Sequence, residues 1–468
     1  MDVFASLFMF WLVDMAHFDC MHITESCSDL HSNPLGGNTA AYLLLIKYWR
    51  RYRSCLAVDE MGETSSVENE FDDWFIESLK IYNNIHEYQL EHPTRVIEWT
   101  SEKTICVAGY SSDKNEILEL LLPLKLFADD NQGLCAERDF KVVHGGFSDG
   151  SIHCLKHIPG TRYIIVAIDY VTSVCCHELS SSNCCFLLRC VVTNDGFNSN
   201  LQVWDLGGDD CDVIKRTGVL QRKSASSDKG VKIAPGLTGG PCVLHGSQIS
   251  DIQLTELASG KPLYSLGKDI PDVLSSLQFV SDSVFLACAC NGDLYVVDTR
   301  KPSALQNNPV GGREGVNWCM GVKTDLYSSD PSSCSVARLS SACQVVVSDL
   351  RDLRAPLCQA QLHVQRKTTS DDFMKVTWAP ALDNCLAVSG FDGMVHIYDT
   401  ASWRPELMEF QPLFIHRGHM MSDNEFDTSS AVVTTHVWHP SRPRTVLSAA
   451  VDGSVHVWDW VDKATASC

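Results

Sequence analysis

The side chains that could do chemistry gather in two places. Histidines stand at His416 and His419, in the run HRGH, and again at His436, His439 and His456. Imidazoles at that density could ligate a metal or move protons near neutral pH. Cysteines crowd a second stretch, where Cys175, Cys176, Cys184, Cys185 and Cys190 lie close together and His177 adjoins Cys176. Zinc sites favour cysteines spaced so that two sulfurs face one ion, whereas adjacent cysteines point their side chains apart. That spacing argues against a metal. The P-loop, dinucleotide-binding and zincin signatures (G-x-x-x-x-G-K-[ST], G-x-G-x-x-G and H-E-x-x-H) do not occur either. No cofactor, no catalytic residues and no enzymatic activity are expected.

Such residues need elements to hold them, and an internal repeat supplies these. Residues 376–399 (VTWAPALDNCLAVSGFDGMVHIYD) and 436–459 (HVWHPSRPRTVLSAAVDGSVHVWD) match without a gap at an offset of 60. Trp378 falls on Trp438, Pro380 on Pro440, Asp392 on Asp452, Gly393 on Gly453, His396 on His456, and Tyr398 on Trp458. Each copy reads as a strand ending in Trp-x-Pro, an apolar strand, an Asp-Gly turn suited to positive φ, and an alternating strand ending in Trp-Asp or Tyr-Asp. That closing dipeptide resembles the WD repeat, which implies an all-β WD-repeat β-propeller of four-stranded blades. Weaker copies over residues 94–121, 152–205, 214–257, 277–298 and 316–349 bring the expected number to about seven blades.

A ring of sheets needs a clasp if it is to leave no open edge. Residues 71–85 are expected to form a short amphipathic N-terminal helix, with Asp72 or Asp73 as N-cap and Phe75, Ile76, Leu79, Tyr82 and Ile85 on one side. The following EYQLEHP is a strand candidate that would lie beside residues 455–460 and complete the last blade. Residues 1–60 read as an appended, disordered extension and 61–93 as an acidic lead-in, helix and closing strand. Residues 94–463 read as the propeller, with a Cys-rich insertion at about 171–199. Neither the extension nor the insertion alternates with period two, so both are expected to be dispensable for folding.

Lys and Arg total 37 against 58 Asp and Glu, a formal net charge of −21. Such a field repels a phosphate backbone, so direct nucleic-acid binding is not expected and proteins are the natural partners. The 21 cysteines are dispersed through strand-like segments, as at Cys288, Cys290, Cys343 and Cys385, and read as small buried hydrophobes. No N-x-[ST] acceptor occurs, so a reducing cytoplasm is expected. The apolar runs at residues 3–13 and 40–46 are too short to span a bilayer, and no membrane association is expected.

More specific words lie outside the generic blade pattern: WFIESLKIY, RVIEW, CVAGY, ERDFKVVHGGFSD, PLFIHRGH and VHVWDWVD. Over residues 71–462 they resemble the WD repeat-containing protein 73 family of animals. The resemblance implies a non-catalytic interaction scaffold, monomeric alone, with Integrator RNA-endonuclease subunits and microtubule-associated proteins as partners. It further implies a place in snRNA processing and cell division, in the cytoplasm, cytoskeleton and spindle pole and partly in the nucleus. From the Gly-His pair of WD repeats, matched by Gly418 and His419, it implies a structural relay of His419, Ser448, Asp452 and Trp458. Asp392 and Tyr398 are the matching pair in the preceding copy. The alternative is a peptide or modified-residue reader that uses the propeller channel, which acidic or aromatic side chains at one channel mouth would mark. For the partner surface, residues 137–149 are the first candidate, since Arg138, Phe140, Lys141 and Phe147 combine cations with aromatic anchors. The competing reading buries Phe140 and Val142 in a strand that joins two blades. The acidic residues 422–427 are the second candidate.

Overall fold

The computed structural model describes residues 74, 76–109, 115–127, 139–161, 163–169, 201–208, 211–222, 230–237, 241–267, 269–301, 305–310, 315–323, 334–366, 371–421 and 432–461. They form seven sheets, antiparallel except for one strand added to the fifth. The first blade holds Thr94–Trp99, Thr104–Gly109, Asn115–Leu121 and Lys141–Ser148, and the second Ser151–Ile158, Tyr163–Asp169, Leu201–Asp205 and Lys215–Leu220. The third is Lys232–Pro235, Cys242–Gly246, Gln253–Glu256 and Pro262–Ser265, and the fourth Leu274–Phe279, Val284–Ala289, Leu294–Asp298 and Leu305–Asn308. The fifth consists of Trp318–Lys323, Ser335–Ser340, Gln344–Asp349 and Cys358–Leu362. Lys375–Trp378, Cys385–Ser389, Val395–Asp399 and Phe414–His416 make the sixth, and Val433–Trp438, Thr445–Ala450 and Ser454–Trp460 the seventh.

The first strand of each blade touches the first strand of the next, and Val433–Trp438 returns to Thr94–Trp99, so these strands form a closed ring. The second strands Thr445–Ala450 and Cys385–Ser389 are buried along their whole length. They are therefore continuous apolar runs, because both of their faces pack against neighbouring blades. One core joins Ala387 and Ile397 of the sixth blade to Val433, Val446 and Trp458 of the seventh; another joins Ile97 and Ile105 of the first blade to Leu447 and Val457 of the seventh.

The ring is closed by the chain's early residues. Tyr82–Gln89 is the fourth strand of the last blade and pairs antiparallel with Ser454–Trp460, in a register that sets Ile85 opposite Trp458 and Tyr88 opposite Val455. EYQLEHP does supply part of this strand, but the expected helix is shorter than read. Residues 76–81 are helical, and Tyr82 and Ile85 already belong to the strand. Tyr82 and Ile85 are three apart, the spacing of a helical face, and only a bulge between Tyr82 and Asn84 lets the strand paired with Ser454–Trp460 bury both. Residues 214–257 likewise divide between two blades: Lys215–Leu220 closes the second and the third opens at Lys232.

Two further details depart from the repeat. Gly453 has the expected positive φ of 85°, but in the earlier copy the positive φ falls on Gly390, at 94°, rather than Gly393. A Cβ at Gly390 would lie 2.2 Å from the Phe373 carbonyl oxygen, so only glycine fits. A short strand, Met408–Phe410, leaves the sixth blade and adds in parallel to the outer edge of the fifth, beside Cys358–Leu362. Residues 1–60 and 171–199, with the cysteine cluster and His177, lie outside the described residues.

Candidate functional site

The polar chemistry of the last blade converges on one buried relay. Trp458 Nε1 donates to Ser448 Oγ at 3.1 Å, and Ser448 Oγ lies 2.8 Å from His419 Nε2. His419 Nδ1 is 2.7 Å from Ser454 Oγ, which donates to Asp452 Oδ1 at 2.6 Å. Indole N–H only donates and a carboxylate only accepts, so the direction of every bond follows. The Ser448 hydroxyl donates to His419 Nε2, and a neutral His419 carries its proton on Nδ1 and donates to Ser454. The four residues expected from the sequence are all present. Ser454 is the missed member: it bridges Asp452 to the imidazole, and only the turn geometry brings it there.

The matching pair in the sixth blade does not rebuild the relay. Ser448 corresponds to Val388, which carries no hydroxyl, and Tyr398 puts an apolar-edged ring where Trp458 has its N–H. The Tyr398 hydroxyl has no hydrogen-bond partner, and its ring packs edge-on against Trp403 at 6.2 Å. Asp392 instead accepts from Met394 N at 2.9 Å and lies 3.2 Å from His396 Nε2. Asp392 and Tyr398 thus stabilise their blade separately.

A second chain of bonds ties the clasp to the relay. Tyr82 Oη is 2.8 Å from His416 Nδ1, and His416 Nε2 is 3.1 Å from His456 Nδ1. Burial pushes the Tyr82 hydroxyl far above its ordinary range, so it stays a donor. His416 stacks on Trp458 at 4.4 Å and His456 on His419 at 3.9 Å, with planes 12° apart in the latter pair. The ligating atoms of His416, His419 and His456 lie within 4.8 Å of one another. A metal ion there would have to break serine or tyrosine bonds already made, and stacked rings do not converge on a point. The geometry suits a structural relay.

The remaining serine signature is also structural. Gly146–Gly150 reads G-x-S-x-G, a hydrolase pattern. A nucleophile elbow needs an exposed serine on a strand-to-helix turn beside a histidine. Ser148 is buried at a strand end, donates to the Gly150 carbonyl at 3.0 Å, and is followed by another strand.

Buried neutral histidines elsewhere set a pH dependence. Burial and Arg222 lower His245 to about 3, and burial with Lys375 holds His436 well below the usual range. The folded protein therefore binds fewer protons than the unfolded chain below pH ~6.5. Their stability contribution is present above that pH and is lost as pH falls towards 3, at up to about 1.4 kcal/mol per pH unit per group. The urea midpoint is expected to drop between pH 7 and 5, and His245→Gln to flatten the slope. A midpoint constant over that range would refute the assignment.

The residues expected at a partner surface separate. Arg138 and residues 422–427 lie outside the described residues. Phe140 is 6% exposed and its ring lies 5.7 Å from that of Tyr88, so it anchors the core and is corrected from interface to interior. Lys141 is exposed, Phe147 is 64% exposed, and Val142, which the competing reading buried, is 50% exposed. The reason is position: Lys141–Ser148 is the outermost strand of its blade. Residues 212–214 run beside it, with Ile214 N donating to Gly145 O at 2.8 Å. This brings exposed Val213 to the same rim as Val219 on the second blade's outer strand.

Comparison with known proteins agrees with the fold. No protein-family model matches the chain. Curated relatives called Integrator complex assembly factor WDR73 do: that of Danio rerio is 54% identical over 398 residues, 85% of this chain and 98% of the relative. Those of Mus musculus and Homo sapiens are each 40% identical, covering 84% of this chain and 98% of the relative. With identity of this level across nearly the whole relative, the chain belongs to the WDR73 family of WD-repeat proteins.

Proposed function

We propose that this chain is a non-catalytic scaffold for assembly of the Integrator complex, acting in the cytoplasm and engaging the RNA-endonuclease subunits. The observation that carries the reading is the 54% identity to a protein named as an Integrator assembly factor over 98% of its length. Its buried polar groups support it, since the histidine, serine and aspartate side chains are spent on holding blades together. The rim of the first two blades is the docking surface. Phe147, Val142, Val213 and Val219 are exposed there beside Lys141 and Lys215, with Arg216 paired to Asp149 at 3.0 Å, an apolar patch that carries exposed lysines on a chain of net charge −21. Such a patch fits a partner segment that pairs apolar anchors with carboxylates.

Phe147→Asp tests it. Because the side chain is already solvent-facing, melting should move by less than ~0.5 kcal/mol, while recovery of the endonuclease subunits in affinity capture should fall at least tenfold. Full recovery with the variant would remove the rim. The microtubule and spindle-pole ties implied by the resemblance form a finer part of the same proposal. Microtubule-associated proteins captured by the wild type and lost with Phe147→Asp would support it.

A further inference from the structure

We infer that the central channel of the propeller is a binding site for a small polyanion, a molecule with clustered phosphate groups, gripped by Lys156, Lys232 and Lys375 with Arg95 nearby. All four sit on the first strands that form the inner ring. Contacts between blades that are not neighbours show that these side chains face the axis. The Arg95 guanidinium of the first blade lies 4.9 Å from the centre of the Phe373 ring, at the entry to the sixth blade. The seventh blade separates the two around the ring, so the contact spans the channel. Lys375, in the sixth blade, feels the charge of Lys156 in the second and Glu98 in the first. Lys232, in the third, acts on Cys154 of the second and Cys319 of the fifth.

The charge within this group is unbalanced. Lys156 Nζ meets Glu98 Oε2 at 2.8 Å, and Lys375 Nζ donates to the neutral Thr435 hydroxyl at 2.9 Å. Among the described residues, the three lysines thus share one carboxylate, Glu98, while Arg95 also meets His153. Burial and repulsion from Lys156 pull Lys375 down to about 8, a sign of like charges crowded in a restricted space. Burial raises the thiols of Cys154 and Cys319, which therefore stay neutral and add no negative charge. Water still reaches the site, since the Lys156 side chain is 37% exposed. On a chain of net charge −21, concentrating lysines on the axis does nothing for packing. A compact anion would relieve their repulsion and bond to several blades at once. Lysines on flexible stems approaching from separate directions suit multiple phosphate oxygens better than one planar carboxylate.

The test uses the full-length protein and isothermal titration with inositol hexakisphosphate and with inorganic phosphate. Hexakisphosphate is expected to bind, and to bind more weakly as salt rises. The variant Lys232→Gln/Lys375→Gln should weaken it at least tenfold, while the control Lys261→Gln, in the turn before the outer strand Pro262–Ser265, leaves it unchanged. Should the double variant fail to fold, Lys232→Gln alone is read, with at least a threefold loss expected. Absence of hexakisphosphate binding by the wild type, or equal binding by a folded Lys232 variant, overturns the inference. It is independent of the rim, and Phe147→Asp should bind the anion like wild type.

Discussion

A chain that begins at Pro93 should lose cooperative melting and aggregate, whereas one that begins at Met61 keeps its clasp and should melt like the full chain. The truncation removes the whole of Tyr82–Gln89, the outer strand of the last blade. Tyr82, Ile85 and Leu90 are 3%, 5% and 7% exposed, and burying each such side chain is worth about 1.5–3 kcal/mol. The paired backbone bonds add roughly 0.5–1.5 kcal/mol apiece. The sum rivals the ~5–15 kcal/mol by which an ordinary domain is stable. It also uncovers the edge of Ser454–Trp460, a strand buried along its length, which is an invitation to intermolecular pairing. Differential scanning calorimetry and light scattering read both outcomes. A Pro93 variant with an unchanged transition would show that the ring closes without its clasp.

The next largest effect is expected at His419. In His419→Ala, Ser448 loses its acceptor and Ser454 its donor in a space with no water access, since both serines and His419 are 0% exposed. Each orphaned group costs about 1–3 kcal/mol, and the stacked contact with His456 is lost as well. Total destabilisation of roughly 2–4 kcal/mol is expected from urea unfolding. Tyr398→Phe supplies the contrast: its hydroxyl has no partner to lose, so removing it should be neutral or slightly stabilising. If the two variants unfold at the same midpoint, the relay does not support the blade.

These two sites mark what could be read in the sequence. His419, Ser448, Asp452 and Trp458 were legible because the repeat aligns two blades without a gap, and a family resemblance assigned the Gly-His pair. Ser454 was not, because its role depends on a turn that folds it back under Asp452. The failure at Asp392 and Tyr398 comes from substitutions along the relay: Val388 and Met394 stand where it needs the hydroxyls of Ser448 and Ser454, and Tyr398 where it needs the Trp458 N–H. The clasp was read in outline, but Tyr82 and Ile85 are spaced as on a helical face, and it takes a bulge beside a partner strand far along the chain to bury both in a strand. Phe140 and Phe147 looked alike as aromatic anchors; Phe140 precedes the outer strand Lys141–Ser148 and packs on Tyr88, whereas Phe147 projects from that strand into solvent. The channel lysines carried no signal at all, since they lie in separate blades and meet only when the ring closes.

That closure has a consequence in time. The strand that completes the last blade is among the first made: Asn84 bonds to Asp459, 375 residues later. At a synthesis rate of about 5–20 residues per second, it waits roughly 20 to 75 seconds for its partner. Throughout that interval Tyr82, Ile85 and Leu90 are without the neighbours that bury them, while six sheets assemble around an unfinished seventh. Contacts between such distant residues also form slowly on entropic grounds. The nascent chain is therefore a demanding client for chaperones that shield extended apolar segments, and premature termination before Ser454 releases a ring with no strand for its own beginning to meet.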